Sequence, residues 1–104
     1  MPVRKRLPTH PGIVLRKYYL EPRGVSVSAF ARATGLTRKH ISSIVNRRAG
    51  VTAETAVRFA AVLETSPEYW LNLQTAYDLY RAVQAMGKGR KRSAHKGLFA
   101  PINS

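Results

Sequence analysis

The chain is 104 residues long and carries 18 Lys plus Arg against 5 Asp plus Glu, a formal charge of +13. That length suits one compact domain with short tails and is too small for a two-domain enzyme, while the charge points to a polyanionic partner. No apolar run approaches the roughly 20 residues of a spanning helix, no apolar leader follows Met1, and the lack of cysteine removes disulfides and thiolate zinc sites, so a soluble, cytoplasmic protein without membrane contact is expected.

Punctuation and apolar period predict five helices between His10 and Ala85 and no sheet, an all-α domain. Pro11 opens the first, where a missing N–H costs nothing; Val14, Leu15, Tyr18 and Tyr19 follow at helical spacing, and Glu21-Pro22 ends it. Gly24 breaks the chain and Ser26 caps a second helix with Val27, Phe30, Ala31 and Thr34 on one face; Gly35 stops it. Thr37 caps the third, whose Ile41, Ile44 and Val45 point inward at i, i+3 and i+4. Thr52 caps the fourth, with an apolar stripe of Ala56, Phe59, Ala60 and Leu63. The fifth and longest starts with Ser66 as cap, Pro67 in its first position and Glu68 in its first turn, where a carboxylate complements the helix dipole. It presents Trp70, Leu73, Tyr77 and Tyr80 along one side.

Charge is placed unevenly. Arg4, Lys5 and Arg6 form a basic N-terminal arm (residues 1–9), and Lys88, Arg90, Lys91, Arg92 and Lys96 lie in residues 87–104, whose Gly, Lys, Arg and Ser content cannot offset the entropy of ordering. A flexible basic tail is expected there, with residues 10–86 as the folded domain. Both ends are expected to add salt-dependent phosphate affinity. Within the domain no acid occurs from Pro22 to Ala53, a stretch that holds Arg23, Arg32, Arg38, Lys39, Arg47 and Arg48. One side of the domain is therefore basic.

Two short helices joined by a Gly-containing turn, the second opening on long basic side chains, describe a helix-turn-helix. Small Ala31 lets the helices approach, Gly35 can take the positive φ of the turn, and Leu36, Ile41 and Ile44 anchor the second helix.

Residues 10–80 resemble the HigA (VapI-like) antitoxins of the XRE, phage-repressor type of helix-turn-helix protein. The match lies in "HPG" at 10–12, the register of the helix-turn-helix, "GVTAETAVRFA" at 50–60 and "SPEYWLNLQTAYDL" at 66–79. The resemblance implies a five-helix lambda-repressor-like domain. It also implies a homodimer that represses its own operon at a palindromic operator and neutralises a HigB-like toxin, a small ribosome-dependent mRNA endonuclease.

With the third helix as recognition helix, Arg38 and Lys39 in its first turn reach base edges, and Arg38 can bond guanine bidentately. By analogy with the fold, Ser43 faces the groove and Ser42 lies nearer a phosphate. Thr37, Asn46, Arg47 and Arg48 are the expected phosphate contacts at the two ends of that helix, and such contacts position without specifying. His40 is read as solvated. Two positions depart from the family pattern. Val27 stands where relatives commonly carry Gln, leaving Ser26 or Ser28 to meet a phosphate. Asn46-Arg47 replaces the usual Asn-Gly, so either Asn46 turns left-handed or Arg47 does, at a cost of about 1 kcal/mol.

A two-fold dimer would set two recognition helices about 34 Å apart on adjacent major grooves. Trp70 and Leu73 read as core of the fifth helix; Tyr77, Tyr80 and Val83, farther along, are the expected dimerisation residues. No enzyme is expected, because the acids fall at helix ends or on solvated faces, no Ser-His-acid set has suitable spacing, and no Gly-rich phosphate loop follows a strand. His10, His40 and His95 lack ligand spacing, so neither metal nor cofactor is expected. The alternatives are a stand-alone repressor without a toxin, and a basic RNA- or ribosome-associated structural protein.

Overall fold

The computed structural model describes residues 7–89, Lys88 and Gly89 by backbone alone; the N-terminal cluster Arg4–Arg6 and the tail from residue 90 lie outside the described residues. Among these residues there are helices and no strand. The first helix is a single rod wound three ways. An α-helical start, α1 (Pro11–Val14), opens into a wider π-wound stretch over Leu15–Leu20 and tightens to a 3₁₀ turn over Glu21–Arg23. Then follow α2 (Val27–Thr34), α3 (Arg38–Val45), α4 (Ala53–Leu63) and α5 (Pro67–Gly89).

The sequence period reads the first rod as a regular helix, and the wider winding is the difference. Bonds from i to i+5 bring residues five apart onto one side. The Glu21 N–H reaches the Arg16 carbonyl, and Leu15 and Leu20 are both buried, which a regular α-helix would place on different faces. Pro22 then supplies no N–H to prolong the ladder, and Gly24 at φ 65° turns the chain away.

The four expected caps form. The hydroxyl oxygens of Ser26, Thr37, Thr52 and Ser66 accept from the N–H groups of Ala29 (3.0 Å), His40 (3.0 Å), Thr55 (3.3 Å) and Tyr69 (3.1 Å). A fifth cap was not legible: His10 Nδ1 accepts the Gly12 N–H at 2.9 Å and closes the start of α1.

The core runs through a line of rings. Phe30 of α2 meets Phe59 of α4 at 5.2 Å, Phe59 meets Trp70 of α5 at 5.3 Å, and Trp70 meets Tyr19 at 5.5 Å. The first two pairs are edge-to-face and the third is tilted, and such ring contacts add to area burial. Trp70 is fully buried, and its indole N–H donates to Thr65 Oγ1 at 2.7 Å, so the one polar atom of the largest core residue is satisfied. Leu73 packs half-buried against the same cluster. α5 continues to Gly89, past the Met86 boundary drawn from composition.

Candidate nucleic-acid interface

Why α2 and α3 meet at a fixed angle follows from the turn between them. Gly35 takes φ 77°, and the Ala31 carbonyl accepts both the Gly35 N–H (2.9 Å) and the Leu36 N–H (3.1 Å). Thr34 is buried with its hydroxyl on the Phe30 carbonyl at 3.0 Å. Arg58 of α4 adds a clamp that the sequence does not advertise. Its guanidinium donates to the Thr34 carbonyl at 2.9 Å and, through Nε, to Glu54 at 3.1 Å. A Cβ on Gly35 would lie 2.8 Å from that guanidinium, so a larger residue there would strain the φ and push the Arg58 clamp aside.

Ile41, Ile44 and Val45 are buried, and this orientation fixes what α3 shows to solvent. Arg38 and Lys39 are exposed in the first turn, His40, Ser42 and Ser43 are half-buried on its flanks, and Asn46, Arg47 and Arg48 are exposed at its end. Asn46 Nδ2 donates to Ser42 Oγ at 3.3 Å. Arg47 is the residue that turns left-handed, at φ 62°, whereas Asn46 stays at φ −95°. The turn lets the Arg48 N–H (2.8 Å) and Ala49 N–H (3.2 Å) close on the Ser43 carbonyl, so the helix ends with its last carbonyls occupied. Ser26 and Thr37 use an oxygen lone pair for capping and keep a hydroxyl hydrogen to donate; Ser28 is half-buried at the start of α2. Val27 packs half-buried on the core.

Among the described residues the pairs are Arg16 with Glu21 (3.8 Å) and Arg58 with Glu54 (3.1 Å), and Arg32, Arg38, Lys39, Arg47 and Arg48 enter none. Four of these, Arg38, Lys39, Arg47 and Arg48, lie exposed on α3 or just past its end, and such a cluster of uncompensated cations is the footprint of a polyanion site.

The back of α3 rests on α1, and α5 holds the loop that leaves it. Gly12 lies so close that an added Cβ would overlap the Ile44 carbonyl and stand 3.0 Å from Val45 Cα. From α5, Gln74 Oε1 accepts the Val51 N–H at 2.8 Å, holding the loop that leaves α3, and Gln74 Nε2 donates to Asp78 at 2.9 Å. Tyr77, one turn on, sets its ring edge-on to buried His10 at 4.8 Å. Burial lowers the His10 pKa from its ordinary 6.5, the Arg47 charge lowers it further, and Asp78 opposes both. Thus "HPG" and "LNLQTAYDL", distant in sequence, are two halves of one contact.

Of the expected pairing residues, Tyr77 is half-buried against His10 with Arg81 at its hydroxyl (3.3 Å), Tyr80 is half-buried, and Val83 is 54% exposed. The helix also carries Leu79 (62%) and Met86 (68%) with Val83 at i, i+4 and i+7, an apolar stripe on the side away from the bundle. Sequence alone does not single out Leu79 and Met86, because an exposed apolar position and a core position look alike there. No group of three or more His, Cys, Asp or Glu among the described residues could hold a metal, and no described helix is long and apolar enough to cross a membrane.

Comparison with known proteins places this geometry. The helix-turn-helix family model matches residues 17–70. Virulence-associated protein I of Dichelobacter nodosus is 44% identical over 75 residues, covering 72% of this chain and 69% of that protein. Antitoxin HigA-1 of Vibrio cholerae is 43% identical over 77 residues, covering 73% and 71%. The solved structure of Pseudomonas aeruginosa antitoxin HigA with the higBA promoter superposes at a TM-score of 0.75 with 37% identity, covering 78% of this chain and 88% of that one.

Proposed function

Because the chain belongs to the HigA (VapI-like) antitoxin family of XRE-type helix-turn-helix proteins, we propose that it is the DNA-binding antitoxin of a type II module. In this reading it represses its own promoter as a cytoplasmic, non-enzymatic homodimer and neutralises a HigB-like mRNA endonuclease. The observation that carries the DNA half is the exposed, Thr37-capped first turn of α3, on a helix where Arg38 and Lys39 at one end and Arg47 and Arg48 at the other have no ion-pair partner among the described residues, on a fold shared with a relative solved with its promoter. The toxin half is carried by kinship with the Vibrio antitoxin.

Arg38, Lys39 and Ser43 are assigned to base edges; Ser26, Ser28, Thr37, Ser42, Asn46, Arg47 and Arg48 to phosphates; and Tyr77, Tyr80 and Val83, extended by Leu79 and Met86, to the two-fold contact. The exposure of Arg38 and Lys39 supports the first assignment, and the free hydroxyl hydrogens of the capping Ser26 and Thr37 support the second. The test is a binding titration on a duplex selected by the chain from a random pool, beside a scrambled duplex. Arg38→Ala should lose about 1–3 kcal/mol on the selected duplex alone, and Arg48→Ala should weaken both duplexes alike. An unchanged selected-to-scrambled ratio in Arg38→Ala sinks the assignment of that residue.

A further inference from the structure

One buried titratable group stands where three elements meet and is absorbed by none of the roles above. His10 is 4% exposed, sits at the start of α1, lies edge-on to Tyr77 of α5, and is close enough to Arg47, at the end of the recognition helix, to feel its charge. We propose that neutral His10 is a positioning residue for DNA binding, coupling α5 to the back of α3, and that its protonation releases the recognition helix and weakens binding in acid. This inference rests on the DNA-binding reading.

The geometry requires the neutral ring. Nδ1 accepts the Gly12 N–H at 2.9 Å, which assigns the proton to Nε2. A proton added at Nδ1 would set one donor against another. The resulting cation would also sit at the positive end of the first helix. The groups around the ring come from each element packed on it. Arg47, after α3, disfavours the cation; from α5, Asp78 favours it and Tyr77 contributes a ring edge. Burial outweighs Asp78, so the neutral form is the folded one.

The consequence reaches the recognition helix by direct contact. Gly12, whose N–H His10 holds, is the residue whose backbone abuts Ile44 and Val45 of α3. Asp78, the counter-charge, also accepts from Gln74, whose amide oxygen holds the Val51 N–H beyond α3. An imidazolium would lose its cap and repel Arg47 while drawing Asp78 away from Gln74. The first helix, the recognition helix and α5 would loosen together.

The experiment uses the full chain and the duplex it selects from a random pool at neutral pH. Affinity is measured from about pH 7.5 to about pH 5, spanning the range where histidine titrates, for the wild type and His10→Asn. Asparagine keeps a cap acceptor and cannot take up the proton. His40 and His95 are common to both chains, so whatever they contribute divides out of the ratio. The wild-type affinity divided by that of His10→Asn should fall by roughly fivefold or more towards acid, the lower end of ordinary coupling between sites. Asp78→Asn, which keeps the acceptor for Gln74 and removes the charge, guards against a His10 variant that fails to fold. The His10 imidazole midpoint, followed by NMR in the free protein, should move to lower pH in Asp78→Asn, and the acid loss of DNA affinity should move with it. A pH-independent ratio, or a loss of affinity that ignores the shifted midpoint, overturns the coupling while leaving DNA binding intact. If no duplex is enriched, the DNA-binding reading itself falls, and the inference with it.

Discussion

Replacing Gly12 by Ala probes the closest approach in the domain. The new Cβ would overlap the Ile44 carbonyl oxygen, stand 2.6 Å from its carbon and stand 3.0 Å from Val45 Cα, all of it backbone that cannot rotate away. An ordinary carbon contact is about 3.5 Å or more, so α1 and α3 must part by well over an ångström. The two helical rods that part carry Leu15, Ile41 and Ile44, each fully buried. Overpacking costs about 1–3 kcal/mol, and a rigid obstacle places this case at the upper end. Better helix propensity of alanine returns up to about 1 kcal/mol. The net loss is about 2 kcal/mol or more, against a total of about 5–15 kcal/mol for a folded domain. At about 4–8 °C per kcal/mol for a chain of this size, the melting temperature should drop by about 10 °C. Thermal unfolding followed by circular dichroism at one protein concentration reads this directly, with Gly87→Ala as control, since a Cβ there meets nothing within 4 Å. A Gly12→Ala protein that melts with the wild type would show that the two helices are not in contact as described.

Gly35→Ala combines a left-handed φ of 77° with a guanidinium 2.8 Å away and should cost about 1–3 kcal/mol in urea unfolding; adding Arg58→Ala removes the obstruction but not the φ penalty, so a double-mutant cycle that shows no coupling would contradict the clamp. Leu79→Glu with Val83→Glu should raise the dimer dissociation constant tenfold or more, about 1.4 kcal/mol, as read by sedimentation, and a dimer of unaltered strength would move the two-fold contact elsewhere. Stability carries a pH signature from His10. Its folded pKa lies below the ordinary 6.5, so its contribution is complete above that pH and is lost as pH falls through the lowered value. In His10→Asn the difference in unfolding free energy between neutral and acid buffer should shrink, and an undiminished difference would place the acid sensitivity in other groups.

The helix starts were readable because each rests on atoms within a few residues: Ser26 with Ala29, Thr37 with His40, Thr52 with Thr55 and Ser66 with Tyr69. The inward set Ile41, Ile44 and Val45 was readable for the same reason, and the outward placement of Arg38 and Lys39 follows from it. The π-wound stretch of the first helix was not readable, because a regular helix and a wider one both bury an apolar pattern and the neighbours decide between them. Sequence left open which of Asn46 and Arg47 would turn left-handed, and the closure of Arg48 and Ala49 on the Ser43 carbonyl accompanies the choice of Arg47.

Local pattern thus determined five helices, four of their caps and the basic edge of one of them, since periodicity and capping act over one helical turn. Tertiary structure alone decided what stands behind that edge: Arg58 on the Thr34 carbonyl, Gln74 on the Val51 N–H, and Tyr77 against His10. Those partners are separated by 24, 23 and 67 positions respectively. No local pattern registers such pairs, because they come within reach only after the helices have packed.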